Sequence, residues 1–239
     1  MSGHSHWAGI KHRKGINDAK RGKIFTKYGK LITNAARDGG GKAETNFQLQ
    51  MMIDRARLEN MPKDTIERAI KRGTGELKDQ AEIQEITYEA YGPGQVAMLI
   101  KTATDNKNRT LGEIKTLLTK NGGKWVPEGS VSFLFKQVGL INVEVKEGAD
   151  PYEVEMQAIE AGAEDTLYSE NMLTVYTLPE NLQKVRENLE KINLQIEGAQ
   201  LAYAPLQKTT LSEDERLDYE KLLELLDDQD DVQEIFDNL

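Results

Sequence analysis

The sequence contains no cysteine, which excludes disulfide bonds, thiolate nucleophiles and cysteine-ligated zinc or iron–sulfur clusters. No segment approaches the run of roughly 20 apolar residues that a membrane helix needs, and the first residues lack the apolar stretch of a secretory signal. We therefore expect a cytoplasmic protein that does not enter a membrane. Its 239 residues, of which 38% are hydrophobic and 30% charged, suffice for two or three domains with cores of their own.

Acidic residues are absent between Asp18 and Asp38, although the whole chain carries a formal net charge of −9. Residues 1–42 contain ten lysines and arginines against two aspartates, a net charge of +8, so the remaining 197 residues carry −17. This uneven distribution indicates a basic N-terminal region on an acidic body. A local basic region of this kind is typical of proteins that contact nucleic acid.

The basic region is predicted to contain a helix over residues 18–37, which Asn17 or Asp18 begins and Gly39 ends. Lysines recur along it with the spacing i, i+3, i+7 and i+10, which places them on one face. A lysine-rich helix face is commonly only solvated, but a solvated face usually also carries glutamates that pair with the lysines. Because no acidic residue interrupts this one, we favour a phosphate-binding surface. The candidate nucleic-acid-binding residues are Lys11, His12, Arg13, Lys14, Lys20, Lys23, Lys27, Lys30 and Arg37.

Two shorter helices are predicted at about residues 46–60 and 64–73, with Pro62 preventing one continuous helix. From about residue 85 short strands alternate with helices, and a strand is expected at residues 130–136. The β–α–β–β–α–β order predicted after residue 137 is typical of a ferredoxin-like unit. The preceding strands suggest a partial copy of that unit, completed by a helix and strand from the C-terminus.

The expected fold class is therefore a multi-domain α+β protein with a helical N-terminal domain and two ferredoxin-like α+β domains, the middle one discontinuous. The expected domains are residues 1–78 (basic and helical), residues 79–136 plus 205–239 (middle α+β) and residues 137–204 (inserted ferredoxin-like).

Candidate reaction chemistry is sparse. The glycines before Lys42 lack the strand and the serine or threonine of a P-loop. The three histidines all precede residue 13 without further ligands nearby, and the aspartates at 227–231 lack the pattern of a calcium loop, which suggests a solvated helix exit. Residues 104–110 could bind an anion at a helix start, but capping by Asp105, Asn106 or Asn108 explains them. We expect no enzyme, no metal and no cofactor.

Several longer motifs resemble one family, the YebC-like proteins, which are bacterial transcriptional regulatory proteins related to mitochondrial translational activators. The motifs are SGHSHWAGIKHRK at residues 2–14, DAKRGKIF at 18–25, NMPKDTIERAI at 60–70, YEAYGPG at 88–94, TDNKNRT at 104–110 and GSVSF at 129–133. The sequence departs from the family at His6, where lysine is usual, at Gly9, where asparagine is usual, and at residues 42–45.

The resemblance implies a three-domain protein, helical first and α+β afterwards. It implies DNA binding and gene regulation in some members and help to translation at the ribosome in others. We therefore expect a monomeric DNA-binding transcriptional regulator that acts through its basic N-terminal domain. The alternative is an RNA-associated or ribosome-associated translation factor that grips ribosomal or transfer RNA, since phosphate neutralisation is common to both.

Overall fold

The computed structural model describes residues 18–77, 82–146 and 148–239, and for residues 18–21 it describes only the backbone. Seven α-helices lie within these residues, and they are α1 (Asp18–Gly39), α2 (Phe47–Leu58), α3 (Lys63–Gly73), α4 (Lys107–Lys120), α5 (Pro151–Glu160), α6 (Leu182–Lys191) and α7 (Glu213–Asp227). Eight strands are described, and they are β1 (Gln84–Tyr91), β2 (Ala97–Thr104), β3 (Lys124–Val126), β4 (Phe135–Glu144), β5 (Asp165–Ser169), β6 (Met172–Thr177), β7 (Gln195–Pro205) and β8 (Val232–Asp237).

Helices α1, α2 and α3 pack together, because each carries an apolar stripe at helical spacing. Ile32 on α1, Leu49 on α2 and Ile66 on α3 are buried. The end of α3 approaches α1 so closely that a β-carbon at Gly73 would lie 2.2 Å from the carbonyl oxygen of Thr33. The predicted helical character of this region is confirmed.

The first sheet has the strand order β3–β1–β2–β8, and each neighbouring pair is antiparallel. Ile100 at its centre pairs with Tyr88 on β1 and with Ile235 on β8, so the C-terminal strand completes a sheet that begins at Gln84. Helices α4 and α7 cover one face through a core that includes Ile114 and Tyr219. A helix and a strand from the C-terminus thus finish this part of the molecule.

The strand order of the first sheet differs from the expected ferredoxin-like copy. Its two central strands, β1 and β2, follow each other in the chain as a hairpin. The prediction of a strand at residues 130–136 is also wrong for most of that segment, since the strand begins only at Phe135. Residues 132–134 form a single 3-10 turn, because backbone N–H groups at Gly129, Val131 and Ser132 bond to the buried Glu89 carboxylate instead of to a neighbouring strand.

Residues 136–204 form a compact unit of their own, while the other described residues from 18 to 135 and from 205 to 239 form another. Within residues 136–204 the sheet order is β5–β6–β4–β7, with a helix between β4 and β5 and another between β6 and β7. Ile141, Val175 and Leu189 are fully buried in this unit. A multi-domain α+β fold is therefore confirmed at the level of fold class.

Most helices and strands predicted for the α+β part lie within a few residues of the observed ones, because their alternation and capping signals are local. No helix in the described ranges is both long enough and apolar enough to span a membrane.

Candidate nucleic-acid interface

The predicted basic residues divide into those that the structure describes and those that it does not. Lys11, His12, Arg13 and Lys14 lie outside the described residues. Lys20 lies in the first turn of α1, in the part described by backbone alone. The remaining candidates are Lys23, Lys27, Lys30 and Arg37, whose side chains the structure describes.

Three lysines of α1 contact the C-terminal end of α7 and the turn after it. The Lys27 ammonium donates to the carbonyl oxygen of Asp227 at 2.7 Å and lies 3.1 Å from its carboxylate. Lys23 donates to the carbonyl of Asp228 at 2.9 Å and lies 3.4 Å from its Oδ1. We name Lys23, Lys27 and Lys30 the lysine row, and residues 227–231 the acidic turn.

Lys30 is the innermost member of the lysine row. Its ammonium donates to the carbonyl oxygen of Asp230 at 3.1 Å and to Oδ1 of Asp231 at 2.5 Å. The end of an α-helix leaves carbonyl groups unpaired and carries the negative end of the helix dipole. The acidic turn therefore offers carbonyl oxygens as well as carboxylates, and the lysine row binds both kinds of acceptor.

These contacts correct two expectations. The side chains of Lys27 and Lys30 are only 10% and 16% exposed, so the expected outward, unneutralised lysine face is wrong at these positions. The aspartates at 227–231 are not a solvated helix exit, because the Asp231 side chain is only 3% exposed. The neutralising acids lie about 200 residues away in the chain, beyond the reach of a local charge pattern. Nucleic-acid binding by the lysine row itself stays a prediction.

Asp231 is the most enclosed carboxylate of the acidic turn. Besides Lys30 it accepts hydrogen bonds from Arg109 at 2.8 Å, Thr110 at 2.7 Å and Thr104 at 3.2 Å. Burial alone would raise the pKa of Asp231, but the hydrogen bonds from Lys30, Arg109 and Thr110 and the charge of Lys30 outweigh it. The pKa of this carboxyl is therefore held well below its usual range.

Residues 104–110 donate hydrogen bonds to the Asp231 carboxylate and also cap helix α4. Asn106 caps α4, because its side-chain oxygen accepts from the backbone N–H of Arg109 at 3.1 Å. The Arg109 guanidinium also lies 3.0 Å from Asp105. The capping interpretation of this segment is confirmed, and the charge of Arg109 faces carboxylates.

Arg37, at the other end of α1, is also engaged. Its guanidinium bonds to the carbonyl oxygen of Ile83 and to the Asp38 carboxylate at 2.9 Å, and it lies 3.4 Å from Glu82. The hydrogen bond with Asp38 contributes most to raising the pKa of Arg37, against the opposing effect of burial. Arg37 lies at the surface, but its guanidinium is engaged by these acceptors and does not extend a free basic face.

Sequence reasoning missed Arg55 on α2. Its guanidinium lies 5.9 Å from the centre of the Tyr28 ring and 3.4 Å from the Glu234 carboxylate on β8. Glu234 also faces Lys101 at 3.9 Å. An arginine within a mixed-charge helix carries no sequence signal that would distinguish it from a solvated one, so only the fold reveals this contact.

Exposed basic residues do occur elsewhere on the helices. Lys63 is 85% exposed and lies 3.7 Å from Glu67, and Arg57 is 66% exposed and lies 3.8 Å from Asp54. Such mixed-sign pairs at i,i+3 and i,i+4 are typical of an ordinary solvated helix surface. Within the described ranges no group of three or more histidine, cysteine, aspartate or glutamate residues is placed to hold a metal ion.

Both parts of the chain are similar to one known family. Residues 5–76 match the model described as the TACO1/YebC protein N-terminal domain, and residues 83–239 match the TACO1/YebC second and third domain. A protein of Caldanaerobacter subterraneus subsp. tengcongensis named "Probable transcriptional regulatory protein" is 46% identical over all of this chain and 98% of its own length. A protein of Thermotoga maritima with the same description is 48% identical, covering all of this chain and 93% of its own.

A solved structure supports the same assignment. The crystal structure of a conserved hypothetical protein from Aquifex aeolicus has a TM-score of 0.90 and 43% sequence identity, and the match covers 98% of this chain and 96% of that one. Both family models and these relatives together span the helical and the α+β parts. The chain belongs to the TACO1/YebC family.

Proposed function

We propose that this protein is a nucleic-acid-binding regulatory protein, and that it acts as a monomeric, cytoplasmic DNA-binding transcriptional regulator without a cofactor. One observation carries the proposal: residues 1–42 contain ten basic residues and only two acidic ones. Clustered positive charge of this kind is the usual footprint of a protein that neutralises phosphates. The names of the relatives, which call them transcriptional regulatory proteins, favour DNA as the target.

We assign the first contact with phosphates to residues 1–22, which we name the N-terminal arm. The lysine row is engaged by the acidic turn, whereas residues 1–22 hold five basic residues against one acidic residue. The residues assigned to this contact are Lys11, His12, Arg13, Lys14 and Lys20. Without further contacts, such a surface binds the phosphate backbone and positions the protein, but it does not read base sequence.

We also propose that the α+β part is divided into a discontinuous middle domain and an inserted ferredoxin-like domain. The pairing of β8 with β2 supports the discontinuity. The β5–β6–β4–β7 order, with the first strand of the unit between its third and fourth, supports the ferredoxin-like assignment of residues 137–204. This arrangement leaves the basic N-terminal domain as the part suited to nucleic acid.

The proposal is tested by measuring binding of fluorescently labelled duplex DNA and of an RNA hairpin by anisotropy at several salt concentrations. The arm variant carries glutamine at Lys11, Arg13, Lys14 and Lys20. We expect it to bind less tightly than the parent and to lower the slope of log affinity against log salt by about 0.9 per lost contact on duplex DNA.

A matched control carries four glutamines on the other helices and their linker, at Lys42, Lys63, Arg68 and Lys71, which are exposed. Equal loss of affinity in this control and the arm variant would refute the assignment, because it would show a response to net charge alone. Crosslinking in cells, followed by sequencing of recovered DNA and RNA, then distinguishes the targets. Promoter enrichment supports the regulator, and enrichment of ribosomal or transfer RNA alone would replace it with the translation factor.

A further inference from the structure

Several contacts between the N-terminal helices and the part of the chain that holds the first sheet join opposite charges. Lys23, Lys27 and Lys30 meet the acidic turn, and farther along the same boundary Arg55 on α2 meets Glu234 on β8. Inside the helical part, by contrast, the contacts that hold α1 against α2 and α3 include buried apolar side chains. The boundary between helices and sheet therefore includes ion pairs that an external polyanion can replace.

The acidic turn presents the lysine row with oxygen acceptors, some of them negatively charged, as a phosphate backbone would. Each lysine of the row binds a carbonyl oxygen and also lies beside a carboxylate oxygen. Phosphate oxygens are likewise negatively charged acceptors that bind lysine as a point charge. The two kinds of partner cannot occupy the same ammonium groups at once.

We infer that the acidic turn is an internal competitor of nucleic acid: it occupies the lysine row until phosphates displace it. This inference rests on the proposed function, because it concerns how the same N-terminal region gains additional phosphate contacts. In the unbound protein the lysine row is closed by residues 227–231. In the bound protein the row faces phosphates, and the acidic turn is released into water.

The gradient of exposure along the row gives the exchange a direction. Lys23 and Asp228 are 42% and 63% exposed, Lys27 and Asp227 are 10% and 29% exposed, and the Asp231 end is nearly closed. An exposed ion pair contributes little stability and is screened by salt. Displacement therefore begins at Lys23, the member of the row nearest the proposed arm, and proceeds inward.

The test uses a variant that weakens the acidic turn without touching its buried member. It carries asparagine at Asp227, Asp228 and Asp230, and it retains Asp231, whose hydrogen bonds hold α4. The control removes the same three charges from exposed positions at the other end of α7, by Glu213→Gln, Asp214→Asn and Asp218→Asn. Binding of one labelled DNA duplex by anisotropy is compared among parent, variant and control.

We expect the acidic-turn variant to bind about tenfold more tightly than the parent, which is within the usual range of coupling between two sites. The control should change affinity much less, because its charges are far from the lysine row. Equal gains in variant and control, or no gain in either, would overturn the internal competitor. If the triple substitution prevents folding, judged by circular dichroism, the exposed Asp228→Asn is compared with Asp218→Asn and the same outcomes apply.

Failure of this inference is distinguishable from failure of the proposed function. The arm variant reports on the proposed function, and the acidic-turn variant reports on the competitor, so their effects are measured separately. If the parent binds DNA and the arm variant does not, while acidic-turn variant and control bind alike, only the competitor is refuted. If neither the parent nor the acidic-turn variant binds DNA or RNA, both proposals are wrong.

A second measurement follows the displacement directly. The absence of native cysteine allows spin labels at Thr65→Cys on α3 and Lys120→Cys on α4, both exposed. Saturating DNA should lengthen or broaden the distribution of distances between the labels. The acidic-turn variant should show part of that change without DNA. An unchanged distribution in the presence of saturating DNA would refute the exchange, because a purely structural interface stays closed.

Discussion

Replacement of Asp231 by asparagine should destabilise the part of the molecule that contains the first sheet. The carboxylate is nearly inaccessible and accepts from Lys30, Arg109 and Thr110 at 2.5, 2.8 and 2.7 Å. Asparagine keeps the shape, but it removes the charge, and its N–H₂ group must face either Lys30 on one side or Arg109 and Thr110 on the other. Removing one partner of a buried ion pair costs about 3–5 kcal/mol. Because Arg109 is half-exposed, we expect a loss of about 3 kcal/mol.

The pH dependence of this loss has a definite sign. The pKa of Asp231 is depressed in the folded state, so its contribution to stability is fully present above the pKa of an unfolded aspartate, about 3.9. It declines as the pH falls from that value through the lower pKa of the folded state. The difference in stability between parent and Asp231→Asn should therefore be constant from neutral pH to about 5 and should shrink in stronger acid.

Urea unfolding can measure this effect through Trp125, which packs against the core of the first sheet. A Trp7→Phe background leaves Trp125 as the single tryptophan. Asp228→Asn is the matched control, because its side chain is 63% exposed and should change the free energy of unfolding by less than about 0.5 kcal/mol. A loss below about 1 kcal/mol for Asp231→Asn, or one equal to the control, would refute the importance of this buried carboxylate.

Three further substitutions test other parts of the architecture. Glu89→Gln should lower the free energy of unfolding in urea by about 2 kcal/mol at neutral pH and by less in acid. The reason is that hydrogen bonds from N–H groups of the loop after β3 outweigh the effect of burial and lower the Glu89 pKa, so a loss that does not depend on pH would contradict this. Gly73→Ala should cost about 1–3 kcal/mol by the same measurement, because its β-carbon would meet the carbonyl of Thr33, and an unchanged midpoint would show that α3 shifts freely. Tyr219→Phe should cost about 1–2 kcal/mol in thermal unfolding by removing the buried hydrogen bond to Asp237 at 3.0 Å, whereas a neutral effect would mean that Asp237 finds another donor.

The elements of the fold were largely predictable, because their signals are local. The helix over residues 18–37 follows from its apolar stripe and glycine end, and it is observed as Asp18–Gly39. The final strand expected at residues 232–236 is observed as Val232–Asp237. The order of strands was less predictable. Nothing in a β-hairpin pattern states which strands will lie at the centre of a sheet, so the ferredoxin-like copy expected for the first sheet was wrong.

The candidate site was less predictable than the fold, because charge patterns report composition and not partners. The spacing of Lys23, Lys27 and Lys30 correctly predicts a shared face of α1. The acidic run at residues 227–231 is equally visible in the sequence, but about 200 residues separate it from that face. A signal was available in principle: an acid-free basic helix and a compact acidic run are complementary. Only the folded chain shows that the helix and the acidic run meet. The pairing of β8 with β2 helps to place the acidic turn, which precedes β8, beside α1.

The internal use of the lysine row changes what salt dependence should reveal. A free row of three lysines would release the counterions of the phosphates it neutralises, with a slope of about −0.9 for each phosphate. A row that exchanges carboxylates for phosphates returns three or four carboxylates to water, and these take up cations again. The counterion release from the row is thereby partly cancelled, and the net slope is set mainly by the arm. Salt dependence shallower than the count of basic residues in 1–42 is therefore the expected consequence of neutralising the lysine row within the folded chain.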